Sequence, residues 1–148
     1  MRRFLGTVTG TVAVILATAV LAGCAVGPQR EPLESAIPAA LLASDLGITK
    51  AEASVDIDGL SSNLSVFAVF DRDTVTSDDL RTIVELSIEN TDRDDLSRIH
   101  IGGRDGSVDG YEYIDLGAVG SELGFAADST IPDRFSIAWD DAVALVGD

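Results

Sequence analysis

Residues 51–70 read AEASVDIDGLSSNLSVFAVF, and their patterning decides the fold class. Over 51–58, Ala51, Ala53, Val55 and Ile57 alternate with Glu52, Ser54, Asp56 and Asp58. A period of two marks a strand with one dry and one wet face. Gly59-Leu60-Ser61-Ser62-Asn63 supplies turn chemistry. Residues 64–70 (LSVFAVF) are apolar on both faces, which suits a strand inside a sheet. Together these segments predict a β-hairpin with a five-residue loop.

Downstream, residues 77–90 predict the best helix of the chain. Thr76 and Asp79 have capping-box spacing, with Asp in place of the usual Glu or Gln. Leu80, Ile83, Val84 and Ile88 fall on one side, and Asp78, Arg81, Glu85 and Glu89 on the other. A short strand is expected at 97–101 (SRIHI), broken by Gly102-Gly103, and another at 111–115 (YEYID). Residues 116–124 read as a weak helix carrying three glycines. Phe135, Ile137 and Trp139 mark a late strand, and 140–146 a closing helical turn or two. Upstream, 39–46 predicts a short helix stopped by Gly47. The order strand-strand-helix-strand-strand-helix-strand-helix predicts an α+β two-layer sandwich, with helices on one face of a mostly antiparallel sheet.

The whole chain has 148 residues, 25 acidic against 10 basic, a formal charge of −15, one cysteine and one histidine. That length allows one modest domain. The acidic balance argues against nucleic-acid binding, which needs clustered Lys and Arg to neutralise phosphates. One cysteine excludes an intramolecular disulfide framework and a Cys-rich zinc site.

The first residues read as an export signal. Arg2 and Arg3 form a basic start, an uncharged apolar run follows, and Leu21-Ala22-Gly23-Cys24 closes it. Arg2-Arg3-Phe4-Leu5 also faintly resembles a twin-arginine motif, with imperfect spacing. The apolar run is about long enough for a marginal membrane span, which is the alternative to cleavage. L-A-G-C resembles the lipobox of bacterial lipoproteins, and the chain as a whole resembles in style the small lipoproteins of high-GC Gram-positive bacteria, the actinobacteria. The resemblance implies that Cys24 receives a diacylglyceryl group and, after cleavage, becomes the first mature residue. It implies that Leu21, Ala22 and Gly23 are read by the signal peptidase. A palmitate-bearing lipid anchor on the extracytoplasmic face of the cell membrane follows from it.

On this reading residues 1–23 are the signal peptide and 24–38 a flexible tether punctuated by Pro28, Pro32 and Pro38. Residues 39–148 then form a single small domain. Removing Arg2 and Arg3 leaves 8 basic residues against 25 acidic, a formal charge of −17. Such a body is repelled by anionic lipid, and buried acyl methylenes at about 0.8 kcal/mol each hold it without a basic patch.

Candidate chemistry is sparse. Asp105, Ser107 and Asp109 occupy positions 1, 3 and 5 of an EF-hand-like loop, with Gly110 at 6, but position 12 is Leu116 and Asp115 stands one place early. A β-turn explains the same Asp-Gly residues, so calcium is the alternative and no cofactor is the primary expectation. Residues 71–95 hold nine acidic residues against three arginines, expected as a solvated helix face. His100, between Ile99 and Ile101, should point away from the apolar face, with no second histidine or free cysteine to complete a metal site. No G-x-S-x-G elbow accompanies it. Glu112 and Asp115 offer a carboxylate pair, but few aromatics are present to line a sugar cleft. Trp139 is expected in the core. The expectation is a non-enzymatic, lipid-anchored envelope interaction module, whose partners are the membrane and an unidentified envelope protein.

Overall fold

The structure is a computed structural model that describes residues 32–108, 112–126, 131 and 133–147. Cys24 and its neighbours Leu21, Ala22 and Gly23, with Asp109, lie outside the described residues. The elements run α1 (Leu33–Ala43), β1 (Ile48–Asp58), β2 (Ser61–Phe70), α2 (Ser77–Glu89), β3 (Leu96–Asp105), β4 (Glu112–Tyr113), α3 (Leu116–Glu122), β5 (Arg134–Ala138) and α4 (Trp139–Gly147). The fold is α+β, as the periodicities require.

β1 and β2 form the expected antiparallel hairpin, in register from Lys50–Val69 to Asp58–Ser61. Its turn is the pair Gly59-Leu60, because pairing continues to Asp58 and Ser61 and leaves no five-residue loop. Gly59 takes φ +63°, a left-handed conformation that glycine adopts without penalty. β2 then feeds α2, which returns the chain so that β3 pairs parallel to β2. On its far side β3 pairs antiparallel with β5 at one end and with β4 at the other. Three of the four pairings are antiparallel.

α2 starts where its caps dictate. The Thr76 amide donates to the Asp79 carboxylate at 2.8 Å, and the Asp79 amide donates to the Thr76 hydroxyl at 3.2 Å. Burial works against the Asp79 charge. The hydrogen bonds from Thr76 and the Arg72 guanidinium outweigh it and hold the carboxyl below its ordinary value.

Besides the hairpin loop, three further expectations are corrected. First, the segment read as tether to residue 38 is helical from Leu33, with Pro38 inside α1. Leu33, Ile37 and Leu41, four residues apart, are all buried in the core, and that burial outweighs the backbone bond lost at proline. Second, Gly102-Gly103 continue β3 and do not break it. Gly103 faces the core, where a Cβ would sit 3.2 Å from both Phe70 and Leu116. Glycine is used there because neighbouring side chains already fill the space. Third, Trp139 opens α4, the late strand having ended at Ala138. It is half-buried and packs against the edge of the core.

One hydrophobic cluster unites all the helices with one face of the sheet. Leu64, Val66, Ala68 and Phe70 of β2, Ile99 and Ile101 of β3, and Phe135 and Ile137 of β5 all point into it. The helix layer supplies Ile37, Leu41, Leu80, Ile83, Leu116 and Ala142. Gly120 of α3 lies against the Phe135 ring, where an added Cβ would come within 2.3 Å. Among the described residues no helix is long and apolar enough to cross a membrane.

Candidate functional site

The buried side chains of the helices pack on one face of the sheet, and alternation places a second set of strand side chains on the opposite face. Four rows cross it, as the strand registers define. Lys50, Val69, Arg104 and Tyr113 make one row, and Glu52, Phe67, Gly102 and Arg134 the next. Ser54, Ser65, His100 and Ser136 make the third, and Asp56, Asn63, Arg98 and Ala138 the last.

The second row sits at the middle of the face. Gly102 leaves a gap in it between Phe67 and Arg134. Two adjoining hollows, of about 560 and 350 Å³, share Phe67, Gly102 and Arg134 in their walls, so together they form one groove. His100 and Ser65 extend it on one side, where Glu34 and Pro38 of α1 also border it, and Tyr113 and Ile131 on the other.

Above this floor the polar groups are tied to one another. The Ser136 hydroxyl lies 3.0 Å from His100 Nδ1 and accepts from Arg98 at 3.3 Å. The Ser65 hydroxyl donates to Asp56 at 2.6 Å. The Arg104 guanidinium lies between two rings, 5.5 Å from the centre of Phe67 and 5.7 Å from that of Tyr113. Contacts at that distance restrict the side chain and add cation–π attraction. Lys50 pairs with Glu52 at 2.6 Å, and its hydrogen bond and charge hold the Glu52 carboxyl below its ordinary value.

Charge is distributed unevenly. Of the seven lysines and arginines among the described residues, Lys50, Arg98, Arg104 and Arg134 share this face. The other three serve the opposite layer and its loops. Arg72 pairs with Asp79, Arg93 with Asp95, and Arg81 donates to the Leu145 carbonyl. The acidic stretch 71–95 lies mainly on the exposed side of α2 and its flanking loops, as expected of a solvated face.

The residues singled out from sequence fare differently. His100 points away from the core as its alternation requires, and it is half-buried and bonded to Ser136. Asp105 is buried, and its carboxylate accepts from the Ser107 amide at 2.7 Å. Asp115 caps α3, accepting from the Ala118 amide at 2.9 Å. Both carboxylates are therefore engaged with backbone near their own positions, and Ser107 is exposed. Among the described residues no group of three or more His, Cys, Asp or Glu side chains is placed to hold a metal ion. Glu112 is exposed on the two-residue strand β4, and no sugar-sized cleft joins it to Asp115 among the hollows described.

The arginine array is hidden in the sequence because Gly102-Gly103 imitate the end of a strand that in fact runs to Asp105. Extending the alternation through the two glycines would have put Arg98, His100, Gly102 and Arg104 on one face. Comparison with protein-family models, curated proteins and solved structures returned no match.

Proposed function

We propose that this chain is a lipid-anchored, extracytoplasmic interaction module whose working surface is the face of its sheet turned away from the core, bordered by α1 at Glu34 and Pro38. Anchoring rests on the L-A-G-C pattern, with Cys24 acylated and Leu21, Ala22 and Gly23 read by the peptidase. The observation that carries the binding role is the groove over Phe67 and Gly102, set in the face that gathers four of the seven described cationic side chains. The buried core cluster lies on the other side of the sheet, so core packing does not account for this surface. The module does no covalent chemistry: it binds an envelope partner and not nucleic acid, and it needs no cofactor. Calcium binding through Asp105, Ser107, Asp109 and Asp115 is the competing reading; Asp105 and Asp115 each already give one oxygen to a backbone amide, and no group of three such ligands is gathered among the described residues.

Anchoring is tested by feeding labelled palmitate to cells that express the full chain. The expected result is a labelled, membrane-bound product that disappears with Cys24→Ser. Label retained by that variant, or an unlabelled wild type, would overturn the anchor. The working surface is tested by photo-cross-linking from Ser65 in the same cells: a discrete adduct supports it, and adducts from the exposed side of α2 alone would overturn it.

A further inference from the structure

Deepening that reading, we infer that the groove receives an extended acidic segment of a polypeptide partner, its carboxylates held by Arg98, Arg134 and Arg104. The three guanidinium-bearing positions stand at three levels along β3. Arg98 and Arg104 are six residues apart, about 20 Å at the strand rise, and Arg134 is level with Gly102 between them. Alternate side chains of an extended peptide recur at about 6.7 Å, the same repeat as alternate positions of the sheet beneath. A chain lying along β3 therefore meets the cationic positions with carboxylates on one of its own faces.

Side-chain type and availability fit that occupant. Guanidinium groups present planar, forked donors that match carboxylates. Among the described residues neither Arg98 nor Arg134 is ion-paired, and Arg134 Nε is buried without a hydrogen-bond partner. Four carboxylates border the groove: Glu52 is paired with Lys50, Asp56 accepts from Ser65, and Glu34 and Asp133 stand in the walls, so an acidic occupant is accepted only where Arg98, Arg134 and Arg104 outweigh them.

The floor selects among polyanions. Phe67, Gly102 and Ile131 make it partly apolar, which suits a chain that mixes acidic with apolar residues better than a uniformly charged phosphate polymer. Specificity comes from the rest of the molecule. The excess of 25 acidic over 10 basic residues disfavours acidic segments in general, whereas this face carries four of the seven described cationic side chains.

The test uses the purified full chain in a non-ionic detergent and a fluorescent peptide of alternating Glu and Val, followed by anisotropy. Saturable binding is expected. It should fall at least about tenfold in the Arg98→Glu/Arg134→Glu variant, and in the milder Arg98→Gln/Arg134→Gln variant if the reversal does not fold. Arg81→Glu, on the helix layer, should bind as the wild type does. No saturable binding, or equal binding by the Arg98/Arg134 variants, would overturn the inference. So would tighter binding of long-chain polyphosphate than of the peptide, or self-association of the chain that occupies the face. If the peptide fails while the face still cross-links in cells, this inference falls and the interaction module stands.

Discussion

Phe67 and Gly102 are partners across the parallel β2–β3 pair, and the ring edge stands where a side chain at 102 would begin: a Cβ there would lie 3.0 Å from Phe67 Cδ2. The ring is itself half-buried on the open face and can shift, so Gly102→Val should fold and fill the groove. We expect near-wild-type circular dichroism and at least about a tenfold loss of acidic-peptide binding. Full binding by a folded Gly102→Val would show that the groove is not the binding surface.

The Thr76–Asp79 capping box gives a second expectation. Thr76→Ala should cost about 1 kcal/mol in denaturant unfolding. The Asp79 carboxyl is held below its ordinary value, so the folded chain binds that proton less tightly than the unfolded chain. Its contribution is complete above the unfolded-state pKa of about 4 and is lost as pH falls through the lower folded value. The stability gap between wild type and Asp79→Asn should therefore narrow on acidification from pH 5 towards pH 2 (about the range over which aspartates protonate). A gap that widens in acid would contradict this role.

α1 belongs to the folded body from its first turn. Ile37 is fully buried among sheet and helix side chains, so Ile37→Ala should cost about 2–5 kcal/mol. A cost within experimental error would return residues 33–38 to the tether.

Gly120 lets α3 lie directly against the Phe135 ring of β5. Gly120→Ala forces its methyl into the Phe135 ring and should destabilise by about 1–3 kcal/mol, read as a lowered melting temperature. An unchanged melting temperature would mean that α3 moves freely over Phe135.

Calcium supplies a fifth check. With no cluster of three carboxylate, histidine or thiol ligands among the described residues, millimolar calcium should leave the melting temperature of the full chain unchanged, whereas occupation of a native site raises it by mass action. A rise abolished by Asp109→Ala would establish the loop as a cation site.

How far the sequence could be read follows from which signals were local. The hairpin and α2 were legible because alternation over 51–58 and the Thr76–Asp79 spacing report on short-range geometry. The start of α1 was obscured by Pro32 and Pro38, although Leu33, Ile37 and Leu41 already carried a helical stripe. β3 was cut short because two glycines resemble a turn until Phe70, Leu116 and Phe67 are seen to fill the space beside them. The parallel pairing of β2 with β3, which sets the rows of the open face, depends on long-range packing and leaves no local trace. Arg134 joins Arg98 and Arg104 only through that topology, since it is far from them in sequence.

The most direct measurement is site-specific photo-cross-linking of the full chain in its own cells, with the reactive group placed at Ser65 on the open face and, separately, at Glu85 on the exposed side of α2. The expected result is a discrete adduct from Ser65 that is lost in Gly102→Val, with none from Glu85. Adducts from Glu85 alone, or Ser65 adducts that survive Gly102→Val, would place the working surface elsewhere.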